Sequence, residues 1–182
     1  MKWLLCSLLL LGSLARANDL DVNVEGPSDE GVYSVEGSFD VLASSTEVWS
    51  VLTDYDHMTE FLPSITSSTV SGTASGFIIV HQTFVAKFLF FNHSADALFE
   101  VSLIPNLDTI TFRDVLHTDF ARCDGMWSIE PDEELTHVRY SVRVIPGESA
   151  PHWIIRSVSR KMAVSLLEHL RTEMEKRANL AL

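Results

Sequence analysis

The stretch Pro151 to Ala178, PHWIIRSVSRKMAVSLLEHLRTEMEKRA, is the only long helical pattern in the chain. Ile155, Val158, Met162, Leu166, Leu170 and Met174 recur at steps of three and four, which predicts one apolar helix face. Pro151 suits the first turn, where its missing N–H is no loss, and Glu173 and Arg177 form a supporting i,i+4 pair. At ~1.5 Å per residue such a helix is about 40 Å long. Nearly everything before it reads as strand. One long helix after many strands requires a sheet curved enough to hold it, and any function should lie between the two.

The strands are legible from alternation. Tyr33 to Ala43 places Tyr33, Val35, Gly37, Phe39 and Val41 on one face. Ser44-Ser45-Thr46-Glu47 then has the form of a capping box, and Val48, Trp49, Val51 and Leu52 give a short apolar helix side. Asp54-Tyr55-Asp56 interrupts it, with Asp54 or Asp56 placed to cap a second short helix that Pro63 stops. From Ser64 to Gly147 every segment reads as strand. Ser64 to Thr73 is polar and suits an edge. Phe77 to Phe91 puts Ile78, Val80, Gln82, Phe84, Ala86 and Phe88 on one face. Asn92-His93 reads as a turn, and with Ser94 it is also a glycosylation sequon. Ala95, Ala97, Phe99, Val101 and Leu103 then face inward, as do Ile110, Phe112, Asp114 and Leu116. Gly125, Trp127 and Ile129 follow, then Val138, Tyr140, Val142 and Val144. Short turns between consecutive strands imply an antiparallel meander. The predicted fold is α+β: a curved seven-stranded antiparallel sheet around a long C-terminal helix, with two short helices after strand 1.

The N-terminus stands apart from this domain. Lys2, the apolar run Trp3 to Leu14 and Ala15-Arg16-Ala17 have the layout of a secretory signal peptide over residues 1–17, cut after Ala17. The run is too short for an ordinary membrane span; an uncleaved anchor is the alternative. Residues 18–31 read as a loose acidic leader containing Gly26, Pro27 and Ser28, and residues 32–178 as the domain. The expected location is secreted or periplasmic. Of 13 basic residues, Lys2 and Arg16 would be lost, leaving 11 against 25 acidic and a formal charge of −14. So acidic a surface argues against nucleic acid and generic adhesion to anionic lipid. Six of those basic residues, Arg156, Arg160, Lys161, Arg171, Lys176 and Arg177, fall on the last helix. They form either an ordinary solvated face or a docking stripe. After cleavage Cys123 stands alone, which permits neither an internal disulfide nor a zinc spacing. No cofactor and no metal are expected, and the chain reads as a monomer whose contacts with a membrane or a protein would be transient.

The segment VLASSTEVWSVLTDYDHMTEFLPSI, Val41 to Ile65, resembles the opening of the polyketide cyclase/dehydrase and START-like (SRPBCC) superfamily, near its coenzyme Q-binding START-domain group. Gly125-x-Trp127-x-Ile129-x-Pro131, Tyr140-x-Val142-x-Val144, and Pro146-Gly147 followed by Pro151-x-Trp153 fit the same group. The likeness covers about residues 32 to 178. It implies the helix-grip fold and an apolar cavity between sheet and C-terminal helix. Members range over lipid and quinone carriers, aromatic cyclases and dehydratases, and a ribosome-association toxin, so fold alone does not fix function. An exported chain would meet neither ribosomes nor cytosolic polyketide carriers.

Parity independently directs Phe84, Phe88, Phe99, Phe112, Trp127 and Tyr140 inward, opposite Met162 and Leu166 on the helix. Aromatics with a pliable methionine suit a bulky apolar ligand, or the same residues fill a solid core. Trp153 would flank the mouth. Two polar residues share the inward faces. Gln82 could orient a polar head or bond the helix or a strand bulge. Asp114 could be a base of raised pKa or a solvated strand end. The seven histidines show no H-x-H or H-E-x-x-H spacing, and no Ser–His–Asp pattern or nucleophile elbow is present. Three functions follow: binding or carriage of a hydrophobic small molecule such as a lipid, quinone or polyketide-like aromatic; a cyclase or dehydratase using Asp114 or Gln82 in the same cavity; or docking to a partner through the basic helix.

Overall fold

A computed structural model describes residues 20–88, 91–132, 135–147 and 150–180, leaving aside the side chains of residues 87, 88, 91 and 92. The predicted signal peptide lies outside the described residues. The elements run β1 (Asp21–Glu25), β2 (Tyr33–Val41), α1 (Ser45–Leu52), a single 3₁₀ turn (Tyr55–His57), α2 (Met58–Phe61), β3 (Ile65–Ala74), β4 (Phe77–Phe88), β5 (Phe91–Ile104), β6 (Thr109–Asp114), β7 (Phe120–Pro131), β8 (Thr136–Pro146) and α3 (His152–Leu180). All strands join one antiparallel sheet in the order β1-β2-β8-β7-β6-β5-β4-β3. The long helix, the two short helices and the polar edge strand β3 stand where the sequence places them.

The sheet has eight strands, not seven. The additional one, β1, lies inside the stretch read as a loose leader and pairs with β2 from Asp21↔Ser38 to Glu25↔Ser34. Val22 and Val24 are buried between exposed Asp21, Asn23 and Glu25. Two valines two residues apart are a short signal, and the acidic residues around them, which face water as an edge strand's outer face should, give the segment a leader's composition. A second difference is at Asn92-His93. The β4–β5 ladder runs on to Phe88↔Phe91, so both residues belong to β5 and not to a turn; the Asn92 side chain of the sequon is outside the described residues.

α3 is set against the sheet along Ala163, Leu167, Leu170 and Met174, all buried. This face is rotated from the predicted stripe. Steps of four residues advance about 40° beyond a full turn each time, so a stripe through Val158, Met162, Leu166, Leu170 and Met174 winds round the helix. Its last two members reach the centre of the contact; Leu166 lies at its margin and Met162 is only half-buried. Gly37 is the point of closest approach: a Cβ there would collide with Leu167 Cδ1. The backbone of α3 comes nearest to β2, β1 and α1, with a lesser approach to β4. The four strands between β2 and β4 meet it through side chains.

One end of the sheet is closed by α1 and α2. Ser44 caps α1, its Oγ accepting from Glu47 N–H at 3.3 Å while its own N–H donates to Glu47 Oε2 at 2.7 Å. Val48, Val51 and Leu52 are fully enclosed with Phe39, Val41, Ile129, Val138, Leu170 and Met174 in one cluster. Asp54 and Asp56 cap nothing, contrary to the expectation. Asp54 accepts from His57 Nδ1 at 2.6 Å and pairs with Arg177 at 2.9 Å, while Asp56 accepts from Val70 N–H of β3 at 2.8 Å. Tyr55 packs inside. The motif thus ties the short helices to β3 and to the last turns of α3.

The Asp54–His57 pair makes this tie pH-sensitive. Burial works to raise the Asp54 carboxyl, but the hydrogen bonds and charges of His57 and Arg177 outweigh it and hold it below its ordinary value. The hydrogen bond and charge of Asp54 hold His57 above its ordinary value. A raised histidine contributes fully below its unfolded pKa of ~6.5 and loses that contribution as pH rises through the folded value; a lowered aspartate contributes fully above ~3.9 and loses it as pH falls. The pair is therefore complete between about pH 4 and 6.5. An NMR titration of His57 should give a pKa above that of a free histidine, and Asp54→Asn should bring it down. An unchanged His57 pKa in the variant would refute the coupling.

Candidate functional site

Away from the α1 end, the concave face of the sheet carries a row of rings. Phe84 of β4 meets Phe99 of β5 at 6.0 Å between centroids, and Phe99 meets Phe112 of β6 at 5.4 Å, both edge to face. Phe112 stacks with Tyr140 of β8 at 6.4 Å, and Tyr140 lies 4.4 Å from Trp127 of β7. These spacings fall in the favourable range for aromatic pairs. The row exists because a two-residue period sends alternate residues to one face and because Gly125 makes room. A Cβ on Gly125 would overlap the Ser141 carbonyl oxygen and stand 2.6 Å from Phe112 Cζ.

The row is not sealed as the α1 end is. Phe84, Phe112, Tyr140, Val144 and Leu166 keep partial exposure although they pack against the core from its concave side. Burial raises the Tyr140 hydroxyl's pKa, so it stays protonated. These rings thus stand on the concave side with part of their surface left uncovered. Burial likewise pushes the Cys123 thiol up to about 12, with the charges of Asp114 and Asp124 adding to it, so it is an uncharged wall residue.

Five of the predicted lining residues, Phe84, Phe99, Phe112, Trp127 and Tyr140, are thus brought together, with Leu166 against the same cluster. Phe88 ends the β4–β5 ladder, but its side chain lies outside the described residues. Met162 flanks the helix contact. Trp153, 64% exposed, belongs elsewhere. It lines an open cleft of about 730 Å³ with Gly26, Pro27, Pro151, His152 and Arg156, between the β1–β2 turn and the first turn of α3. Beside this cleft the hydroxyl of Tyr33 and Nδ1 of His152 are 2.6 Å apart. Phe120 packs against the core as well, out of step with Gly125, Trp127 and Ile129, because a bulge between Phe120 and Arg122 shifts the register by one; such a slip exchanges the two faces.

The two polar candidates are structural. Gln82, 6% exposed, donates through Nε2 to Ser68 Oγ at 2.9 Å and to Met58 Sδ at 3.2 Å, joining β4 to β3 and α2. Asp114, 3% exposed, accepts from the backbone N–H groups of Leu98 at 2.9 Å, Leu116 at 3.1 Å and His117 at 3.0 Å. It ends β6 and fastens the following loop to β5, beyond the point where the β5–β6 ladder stops. A carboxylate that organises three amides is an anchor and not a free base. The basic helix is also occupied: Arg160 donates to the Val22 carbonyl at 2.7 Å and Arg156 to that of Val24 at 3.4 Å, both on β1. Among the described residues no group of three or more His, Cys, Asp or Glu is placed to hold a metal ion.

A curved antiparallel sheet gripping a long C-terminal helix, with aromatic side chains between them, defines the helix-grip class of START-like proteins. The chain belongs to the polyketide cyclase/dehydrase and lipid transport family, whose profile matches residues 41–171. Solved structures with the same fold include the Zhui aromatase/cyclase of a Streptomyces species, 18% identical over 80% of this chain and 95% of that one, with a TM-score of 0.67. A START superfamily protein from Mycobacterium smegmatis is 18% identical over 82% and 99%, with a TM-score of 0.64. A STAR-related lipid transfer protein from Xanthomonas axonopodis is 18% identical over 84% and 98%, also at 0.64. Among curated proteins no sequence match was found.

If Gly125 makes the aromatic row possible, Gly125→Ala should displace Phe112 and destabilise the fold by about 1–3 kcal/mol, the usual cost of overpacking. Urea unfolding followed by circular dichroism measures this. Wild-type stability in the variant would show that β7 has room which the glycine does not need to provide.

Proposed function

We propose that the protein binds a hydrophobic small molecule, such as a lipid, quinone or polyketide-like aromatic, between the concave face of the sheet and α3. The observation that carries this reading is the row from Phe84 to Trp127: inward-facing rings of which Phe84, Phe112 and Tyr140 stay partly exposed. Burying apolar ligand surface there supplies roughly 25 cal/mol per Å², from which the cost of association is subtracted. The kinship of the fold with lipid transfer and aromatase/cyclase proteins supports the same ligand class. We favour carriage over catalysis because Gln82 and Asp114, the groups that a cyclase or dehydratase reading would use for proton transfer, are both tied into the fold.

Organic extraction of the purified protein followed by mass spectrometry should recover an apolar molecule in near-stoichiometric amount. Empty preparations from repeated purifications, together with no binding of any apolar probe, would refute the carrier reading. Export belongs to the same proposal: Lys2, the run Trp3 to Leu14 and Ala15-Arg16-Ala17 support a cleaved leader. N-terminal sequencing of protein from the native host should begin at Asn18. An intact Met1 would overturn this.

A further inference from the structure

The concave face holds two polar atoms that the fold does not use. They are the indole Nε1 of Trp127 and the hydroxyl of Tyr140, on residues paired across β7 and β8 with ring centroids 4.4 Å apart. Neither is hydrogen-bonded within the described residues. Every fully enclosed side-chain nitrogen and oxygen among those residues has a partner, so these two atoms reach open space. Both belong to the aromatic row on the concave face.

Most other polar groups along the interior are engaged. Gln82 is bound through Nε2 to Ser68 and Met58, its Oε1 taking no described donor, and Asp114 holds three backbone N–H groups. Thr136 donates to the Ala43 carbonyl at 2.7 Å, and Tyr33 pairs with His152. The arginines of α3 that lie nearest the sheet bind the carbonyls of β1 or the carboxylates Asp54, Glu173 and Glu175. On the sheet, Arg113, Arg139 and Arg143 pair with Glu100, Glu130 and Asp124 on the convex face. What remains at the Trp127–Tyr140 pair is one group that only donates, the indole N–H, and one hydroxyl that can donate or accept. An anionic ligand head would be desolvated there with no cation among the described residues of the row to meet it, and the Asp114 carboxylate, paired across from Phe99, would repel it.

We propose that the ligand is an uncharged molecule bearing a hydrogen-bond acceptor, a carbonyl or ether oxygen on an apolar body, and that Trp127 Nε1–H and the Tyr140 hydroxyl hold that oxygen. This rests on the binding reading above and narrows it: free fatty-acid anions are excluded.

The test compares three probes of equal chain length at neutral pH, a long-chain methyl ketone, the corresponding carboxylate and the alkane, each measured by displacement of an uncharged fluorescent lipid. The ketone should bind tightest, the carboxylate at least about tenfold more weakly. Tyr140→Phe, which deletes one oxygen and keeps the ring, should lower the ratio of ketone to alkane affinity about three- to tenfold, the range of one net hydrogen bond. Trp127→Phe should act in the same direction, and thermal unfolding of both variants confirms that they are folded. A carboxylate that binds as well as the ketone, or a ketone-to-alkane ratio indifferent to Tyr140→Phe, overturns the assignment and leaves the hydrophobic site standing. No binding of any probe, the alkane and the fluorescent lipid included, overturns both.

Discussion

Where α3 crosses β2, Gly37 has no side chain and Leu167 occupies the space that one would take. This contact sets the height of the helix above the sheet. Because the sheet curves, a helix lowered onto β1 and β2 at one side and reaching β4 at the other cannot also bring its backbone close to the strands between them. At the α1 end the difference is made up by Val48, Val51 and Leu52, entering from a third element. Along the rest of α3 only the side chains of the sheet itself can fill it. That is where the rings stand, and planar rings of limited shape fill a concave surface less completely than branched aliphatics delivered from two sides.

The charges follow a separate logic. On the convex face they alternate in sign across strands: Asp124 lies between Arg122 and Arg143, Glu100 beside Arg113, and Asp40 beside His137. Such exposed pairs contribute little stability each, but they fix which face of each strand is wet. With Arg156 and Arg160 directed to the carbonyls of β1, part of the basic character of the last helix serves the fold. Most of the chain's acidity is carried at the surface; Asp114, buried beside Phe99, is held by three backbone N–H groups.

Much of this was legible in the residues because two periods suffice to place them. Alternation assigned Phe99, Phe112, Trp127 and Tyr140 to one face, and a run of helical steps located α3. The errors share a cause: a periodic reading accumulates phase. The predicted α3 stripe drifted by a part-turn at each step of four, so Met162 was assigned to a face that belongs to Ala163 and Leu167. The bulge at Phe120 reset the parity of β7 without a mark in the sequence. Other misses were relational. Nothing local to Gln82 or Asp114 shows that Ser68 or the Leu98 amide lies in reach, since those partners come from other strands. β1 is valid as a strand only because β2 offers an edge and α3 offers arginines, and neither is visible within residues 18–31.

The arginine–carbonyl contacts on β1 carry a consequence for assembly in time. The first strand of the sheet and its last helix are separated by almost the whole chain, yet each completes the other: β1 extends the surface on which α3 lies, and Arg156 and Arg160 close the outer edge of β1. A growing chain can form the meander from β3 to β8 before α3 has been made, but it cannot close this edge. A polypeptide halted short of Arg156 would present a strand rim with unanswered carbonyls, open to pairing with any neighbour. Completion of the helix is thus also the step that ends the chain's capacity to recruit further strands at that side.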